Sequence, residues 1–212
     1  MKNGILLMLV AAVAVPAALA LPTITVNDGP GSPGGIFNVV TTGNGNFQTF
    51  CIEYNEYLNI GGNYKYEITT AARFNNQNVG FSDPISLATA WLYKNFKTAS
   101  GTGITPYVND AAHNNAIQNA IWFLENEGGA DNAYVAAAKT GAGASWASDA
   151  NGQYGVYVMN LYYNTMPENP TDAQKFDNRR QDLLVHVPDG GMTLAMLGMG
   201  LAGLGFFARR RD

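Results

Sequence analysis

Thiols and imidazoles are almost missing from this 212-residue chain: it has one cysteine, Cys51, and two histidines, His113 and His186. One thiol excludes an internal disulfide, and without Cys or His partners at ligand spacing there is no zinc-site signature. Charge is scarce as well, with Asp, Glu, Lys and Arg together only 13% of the residues. Between Leu21 and Val187 there are eight Lys or Arg against fourteen Asp or Glu, with no basic cluster. An acidic domain of that kind argues against a nucleic-acid partner. No GxSxG element marks a serine hydrolase, and no internal repeat is visible. "GPGSPG" at 29–34 has the letters of a dinucleotide loop. Two prolines and a following strand-like run prevent it from opening the helix such a loop requires. "DANGQ" at 149–153 begins like a calcium loop but lacks the later ligands, so it reads as a polar turn. Paired carboxylates for glycoside cleavage stay open, because spacing along a chain does not say which acids meet in space. No cofactor and no metal is expected.

Long apolar runs are confined to the two ends. "MKNGILLMLVAAVAVPAALALP" has a single lysine and then an uncharged stretch closing on Ala18-Leu19-Ala20. That is the pattern of a secretory signal peptide, residues 1–20, removed after Ala20. At the other end Met192–Ala208 is 17 residues without a charge, followed at once by Arg209, Arg210 and Arg211. A helix of that length just spans a bilayer. Its glycines are tolerated there, and the arginine cluster holds that end in the cytoplasm, leaving the bulk of the chain outside. Residues 21–187 then form one domain, long enough for a real core, and 188–212 form a tail.

Within the domain the hydrophobic period changes twice. "TITV", "IFNVVTT", "NFQTFCIEY" and "NYKYEITT" are β-branched or alternating runs separated by turn residues, and read as strands. In the third run Phe47, Thr49, Cys51 and Glu53 share one face and Gln48, Phe50, Ile52 and Tyr54 the other. "SDPISLATAWLYKNF" reads as a helix capped by Ser82 with Pro84 in its first turn and Ile85, Ala88, Leu92 and Phe96 as its buried stripe. A second helix, 111–127, starts after Asp110 and stops at Gly128 and Gly129. Ile117, Ile121 and Leu124 form its apolar face, and Gln118 and Trp122 lie one turn apart on another. "ADNAYVAAAK" is a third short helix, "YGVYVMNLYYN" and "QDLLVHV" are strands, and the polar segment between those strands is a loop. Strands, then helices, then strands predict an α+β fold: a β-sandwich or barrel-like sheet core with an inserted helical subdomain.

The local strings around Cys51 and Gln118, "TFCIEY" and "IQNAIW", resemble the signatures of the Cys–Gln thioester domains of bacterial surface adhesins. The resemblance implies a cysteine on a strand, a glutamine on a helix of the inserted part, and an internal thioester between Cys51 and Gln118. Trp122, one turn beyond, is then placed to cover the bond. The chemistry is sound: a thiolate is a strong nucleophile, and proximity alone is worth about 7–11 kcal/mol in favourable systems. Gln48 is a competing partner, but three residues along a strand point to opposite faces. His113 or Tyr54 could assist proton transfer. A lone exported thiol otherwise invites oxidation, although a buried strand cysteine also serves simply as a small hydrophobe.

The tail carries a second resemblance. Val187, Pro188, Asp189, Gly190 and Gly191, then an apolar span, then the arginine triplet look like the PEP-CTERM class of sorting tails in a VPDGG-like variant. That class implies a Gram-negative bacterium, an exosortase-type sorting enzyme as partner, transient inner-membrane anchoring, and release to the cell surface or extracellular matrix. Three functions follow. The first is a surface protein, not an enzyme, whose thioester captures an amine on an unknown surface protein or glycan. The second is a structural matrix protein with an inert Cys51 and Gln118. The third is an extracellular hydrolase.

Overall fold

The computed structural model describes residues 21–187 apart from 32–34, 42–44, 76, 99–103 and 105–106. The expected signal peptide, the sorting motif from Pro188 onward, the 192–208 span and Arg209, Arg210 and Arg211 lie outside the described residues. Among those described, no helix is long and apolar enough to cross a membrane.

The architecture is α+β. Strands β1 (Thr23–Asp28), β2 (Phe37–Thr41), β3 (Asn46–Thr49), β4 (Gly62–Thr69), β7 (Val156–Tyr163) and β8 (Arg179–His186) form one sheet in the order β3-β2-β1-β4-β7-β8. Every neighbouring pair is antiparallel. β-Branched alternation explains the register: Val26 lies opposite Val39, both fully buried, while Thr25 between them and its neighbour in β2, Val40, face outward. The sheet curls until its edges meet. Phe50, Cys51 and Ile52, just past the end of β3, lie antiparallel to β8 through a bridge between Cys51 and Leu183. The Ile52 N–H donates to the Asp182 carbonyl at 3.0 Å and the Leu184 N–H to the Phe50 carbonyl at 3.2 Å. A sheet that closes on itself leaves fewer unpaired edges.

The alternation in "NFQTFCIEY" divides two cores. Cys51 packs with Val26, Leu161 and Leu183 inside the curl. Phe50 and Ile52 point the other way, to the layer of helices α1 (Leu87–Thr98), α2 (Ala111–Leu124) and α3 (Ala133–Ala142). The stripe of α1 is buried as its spacing requires, and so are Ile117, Ile121 and Leu124 of α2. α2 begins where expected: the Asp110 carboxylate accepts from the His113 N–H at 2.9 Å. It ends at Leu124 rather than 127, and Asn126, Gly128 and Gly129 turn the chain with positive φ.

Two expectations are corrected. Ser82–Pro84 is not a helix start but strand β6, paired with β5 (Ala71–Arg73). The residue that caps α1 is Ser86, whose hydroxyl accepts from the Thr89 N–H at 3.2 Å and donates to Glu125 at 2.8 Å. The segment expected as a loop between β7 and β8 contains a short helix, α4 (Asp172–Asn178). Thr171 and Gln174 form a reciprocal capping box at its start.

Candidate thioester site

In an antiparallel pair, successive residues aim their backbone groups to opposite sides. Phe50 and Ile52 spend theirs on β8, so the N–H and C=O of Cys51 point away from it, toward α2. Both would be unpaired in a buried place, where each costs about 1–3 kcal/mol. The carboxamide of Gln118 supplies both partners. The Cys51 N–H donates to Gln118 Oε1 at 2.9 Å, and Gln118 Nε2 donates to the Cys51 carbonyl at 2.9 Å. The two residues are 3% and 1% exposed. Helix α2 can deliver a polar side chain here because its apolar face is held in the helical core, by Ile117 just before Gln118 and by Ile121 and Leu124 further along.

Trp122 is one turn further along α2, half-buried, and packs with the cluster that holds Cys51. The Tyr54 ring meets it edge-on, 5.0 Å between centroids and 83° between planes. The Trp122 Nε1–H is buried and has no hydrogen-bond partner among the described residues. Cys51, Tyr54 and Trp122 line a cavity of about 390 Å³, with Asp28, Glu56 and Gln181 also on its wall. Burial pushes the Cys51 thiol well above its ordinary range, and the nearby Glu53 and Glu56 push it further.

Glu53, Glu56 and Asp182 form the other unusual group: all three are buried, and each brings a carboxylate oxygen within 4.8 Å of the others. Among the described residues neither oxygen of Glu53 has a hydrogen-bond partner. Asp182 accepts from the Arg73 N–H at 2.7 Å, and Arg179 Nε lies 3.6 Å from Glu56. Three converging oxygens are a donor set for a hard cation; without one, protons relieve the repulsion. Burial raises the pKa of Glu53, helped by the charge on Asp182, and burial likewise raises Asp182, helped by Glu56.

No motif or spacing in the sequence singles out this trio. The face shared by Cys51 and Glu53 was a signal for one member, but the return of β8 beside it was not readable locally. Of the other residues considered, His113 is engaged with Asp110 at 2.7 Å and Gln48 donates to Asn38 at 3.1 Å. Tyr54, at the Trp122 edge, is the one that lines the Cys51 cavity. Val187 is half-buried and its N–H donates to the Gly155 carbonyl at 2.8 Å, so the last strand runs directly into the tail motif.

No curated protein sequence matches the chain. Among solved structures, the fold is similar to the N-terminal thioester domain of fibronectin-binding protein SfbI from Streptococcus pyogenes. The identity is 15% and the TM-score 0.38, over 80% of this chain and 95% of that one. Residues 186–211 match the VPDSG-CTERM motif, with Gly190 in the place of its serine. The chain thus ends in a sorting tail of the PEP-CTERM type, which marks an exported, membrane-processed protein handled by an exosortase-type enzyme.

Proposed function

We propose that this protein is a cell-surface or matrix adhesin whose Cys51 and Gln118 form an internal thioester that captures an amine on a partner. The observation that carries the reading is the Gln118 carboxamide seated on the Cys51 backbone by two hydrogen bonds, next to a cavity that Cys51 and Trp122 both line.

The steps balance. Cys51 Sγ attacks Cδ of Gln118; the S–C bond forms, the thiol proton passes to the amide nitrogen, and ammonia leaves. In capture, a primary amine attacks the same carbon, the C–N bond forms, the C–S bond breaks, and the amine's proton ends on the thiol. Both steps place negative charge on Oε1. The Cys51 N–H already points at that atom from 2.9 Å and costs no reorganisation when the charge develops. Trp122 and Tyr54 limit water at the carbonyl, which keeps the bond from hydrolysing before a partner arrives. A bond used once is not turnover, so the protein is not an enzyme in this reading. In Gram-negative envelopes the exosortase route would deliver it to the surface, and the partner is an amine-bearing protein or glycan.

A second reading is favoured by one feature of the same contact. The intact carboxamide satisfies both buried backbone groups of Cys51, as a purely structural tie would. A structural matrix protein would keep it that way. Treating the folded protein with or without methylamine, then unfolding it in denaturant and titrating with a thiol reagent, separates the two. The thioester reading expects no thiol until methylamine is added and one thereafter; one thiol from the start supports the structural tie.

A further inference from the structure

The cavity over Cys51 has a neighbour. A second chamber of about 330 Å³ is lined by Asn55, Asn59, Tyr163, Arg179 and Arg180, and it shares Glu56 and Tyr57 with the first. The two differ in charge. Asp28 and Glu56 line the Cys51 chamber, and among the described residues no lysine or arginine stands on its wall. Two guanidiniums face one carboxylate in the second. Arg179 is occupied: its Nε lies 3.6 Å from Glu56, its guanidinium covers the Phe176 ring at 4.0 Å, and it donates to the Phe176 carbonyl at 2.6 Å. Arg180 is different. Its guanidinium stacks over the Tyr163 ring at 3.2 Å and donates to the Arg179 carbonyl. Among the described residues no carboxylate pairs with it. Glu56 across the chamber favours its charge from a distance but lies in contact with Arg179 instead, so a planar cation held on an aromatic face at the wall of an open chamber is left able to meet a further carboxylate.

We propose that the two chambers form one dipolar groove that selects a peptide segment in which a lysine is flanked by an acidic residue, with Arg180 reading the acid while the amine enters the Cys51 chamber. The inference rests on the thioester reading for its covalent step and adds the substrate class. A protein segment fits the groove better than a glycan because the rim is apolar: Tyr57 is 77% exposed, Tyr54 53% and Ile60 52%. Tyr57 stands on the shared wall, where the backbone joining the two recognised side chains would cross.

The test uses the full-length protein and two dye-labelled, N-acetylated peptides identical except for Glu-Lys or Gln-Lys at the centre. An amino sugar carrying a carboxylate and methylamine serve as further probes. Initial rates of covalent labelling should favour the Glu peptide by about fivefold at low salt, and the preference should shrink at high salt. In R180Q the ratio falls to about one. In R180K, which keeps the charge but loses the planar fork, a reduced preference remains. Equal rates for the two peptides, or a ratio unchanged in R180Q, overturn the inference; faster labelling of the amino sugar overturns the choice of a peptide. A wild type that takes up neither methylamine nor peptide defeats the thioester reading instead. In that case fluorescence anisotropy with C51A still reads the groove: tighter binding of the Glu peptide supports it, and equal binding sinks it.

Discussion

Treatment with methylamine should destabilise the folded protein, and the size of the effect can be worked from the geometry. Cys51 and Gln118 are 67 positions apart. A covalent link between them restrains the unfolded chain as a disulfide does, which for a loop of that length amounts to about 4 kcal/mol. Forming the thioester expels Nε2, so the Cys51 carbonyl loses the donor it has at 2.9 Å. Aminolysis reverses both effects. The cross-link disappears, and the new methylamide brings back one N–H for that carbonyl, worth about 1 kcal/mol. The net loss is about 3 kcal/mol, and at about 3 °C per kcal/mol for a domain of this size the unfolding temperature should fall by about 9 °C. Differential scanning calorimetry before and after treatment reads it, with C51A and Q118A treated in parallel as the uncross-linked controls. A wild type that unfolds at the same temperature with and without methylamine, or that shifts no more than C51A, refutes the reasoning.

Other perturbations probe the frame and the cover. Ile121→Ala should cost about 2–5 kcal/mol in urea unfolding, since the side chain is fully buried in the core beneath the helices; a loss far below 1 kcal/mol would contradict that packing. Trp122→Ala should speed spontaneous release of the Cys51 thiol in amine-free buffer, because the ring no longer screens the carbonyl, and an unchanged release rate would deny it the role of cover. Glu125 gives a pH signature. Burial pushes its carboxyl from 4.5 up to about 7, against the hydrogen bonds from Ser86. Its folded form therefore holds a proton that the unfolded chain has lost. Its contribution, about 3 kcal/mol, is complete below pH 4.5 and disappears as pH rises through about 7. Glu125→Gln should flatten the fall in stability between pH 5 and 7, and an unaltered slope would assign the titration elsewhere.

What the sequence made legible was local or periodic. The alternation from Phe47 to Ile52 assigned Phe50, Cys51 and Ile52 to the correct faces because a half-buried strand has a period of two and little freedom to violate it. The cap of α2 was readable in Asp110 for the same local reason. Ser82 and Ser86 shared that cap grammar, and the choice between them depended on something distant: Ser82–Pro84 pairs with Ala71–Arg73 and cannot also be helical. The helix α4 had a readable Thr171–Gln174 box but no residue buried enough to make a stripe. Asp182 reaches Glu53 only because the sheet curls until β8 meets the end of β3, and no window of sequence contains that closure. The two hydrogen bonds between Gln118 and the Cys51 backbone were hidden likewise. Motif letters marked the residues, but the edge position that makes a carboxamide necessary there belongs to the closed sheet.

The most direct measurement is the intact mass of the folded, amine-free protein under non-reducing conditions. The account predicts a species lighter than its sequence by one ammonia, with C51A and Q118A each at the full mass of their own sequences. Wild-type protein at its full sequence mass, with one titratable thiol at Cys51, would contradict the thioester and leave Gln118 as a structural tie.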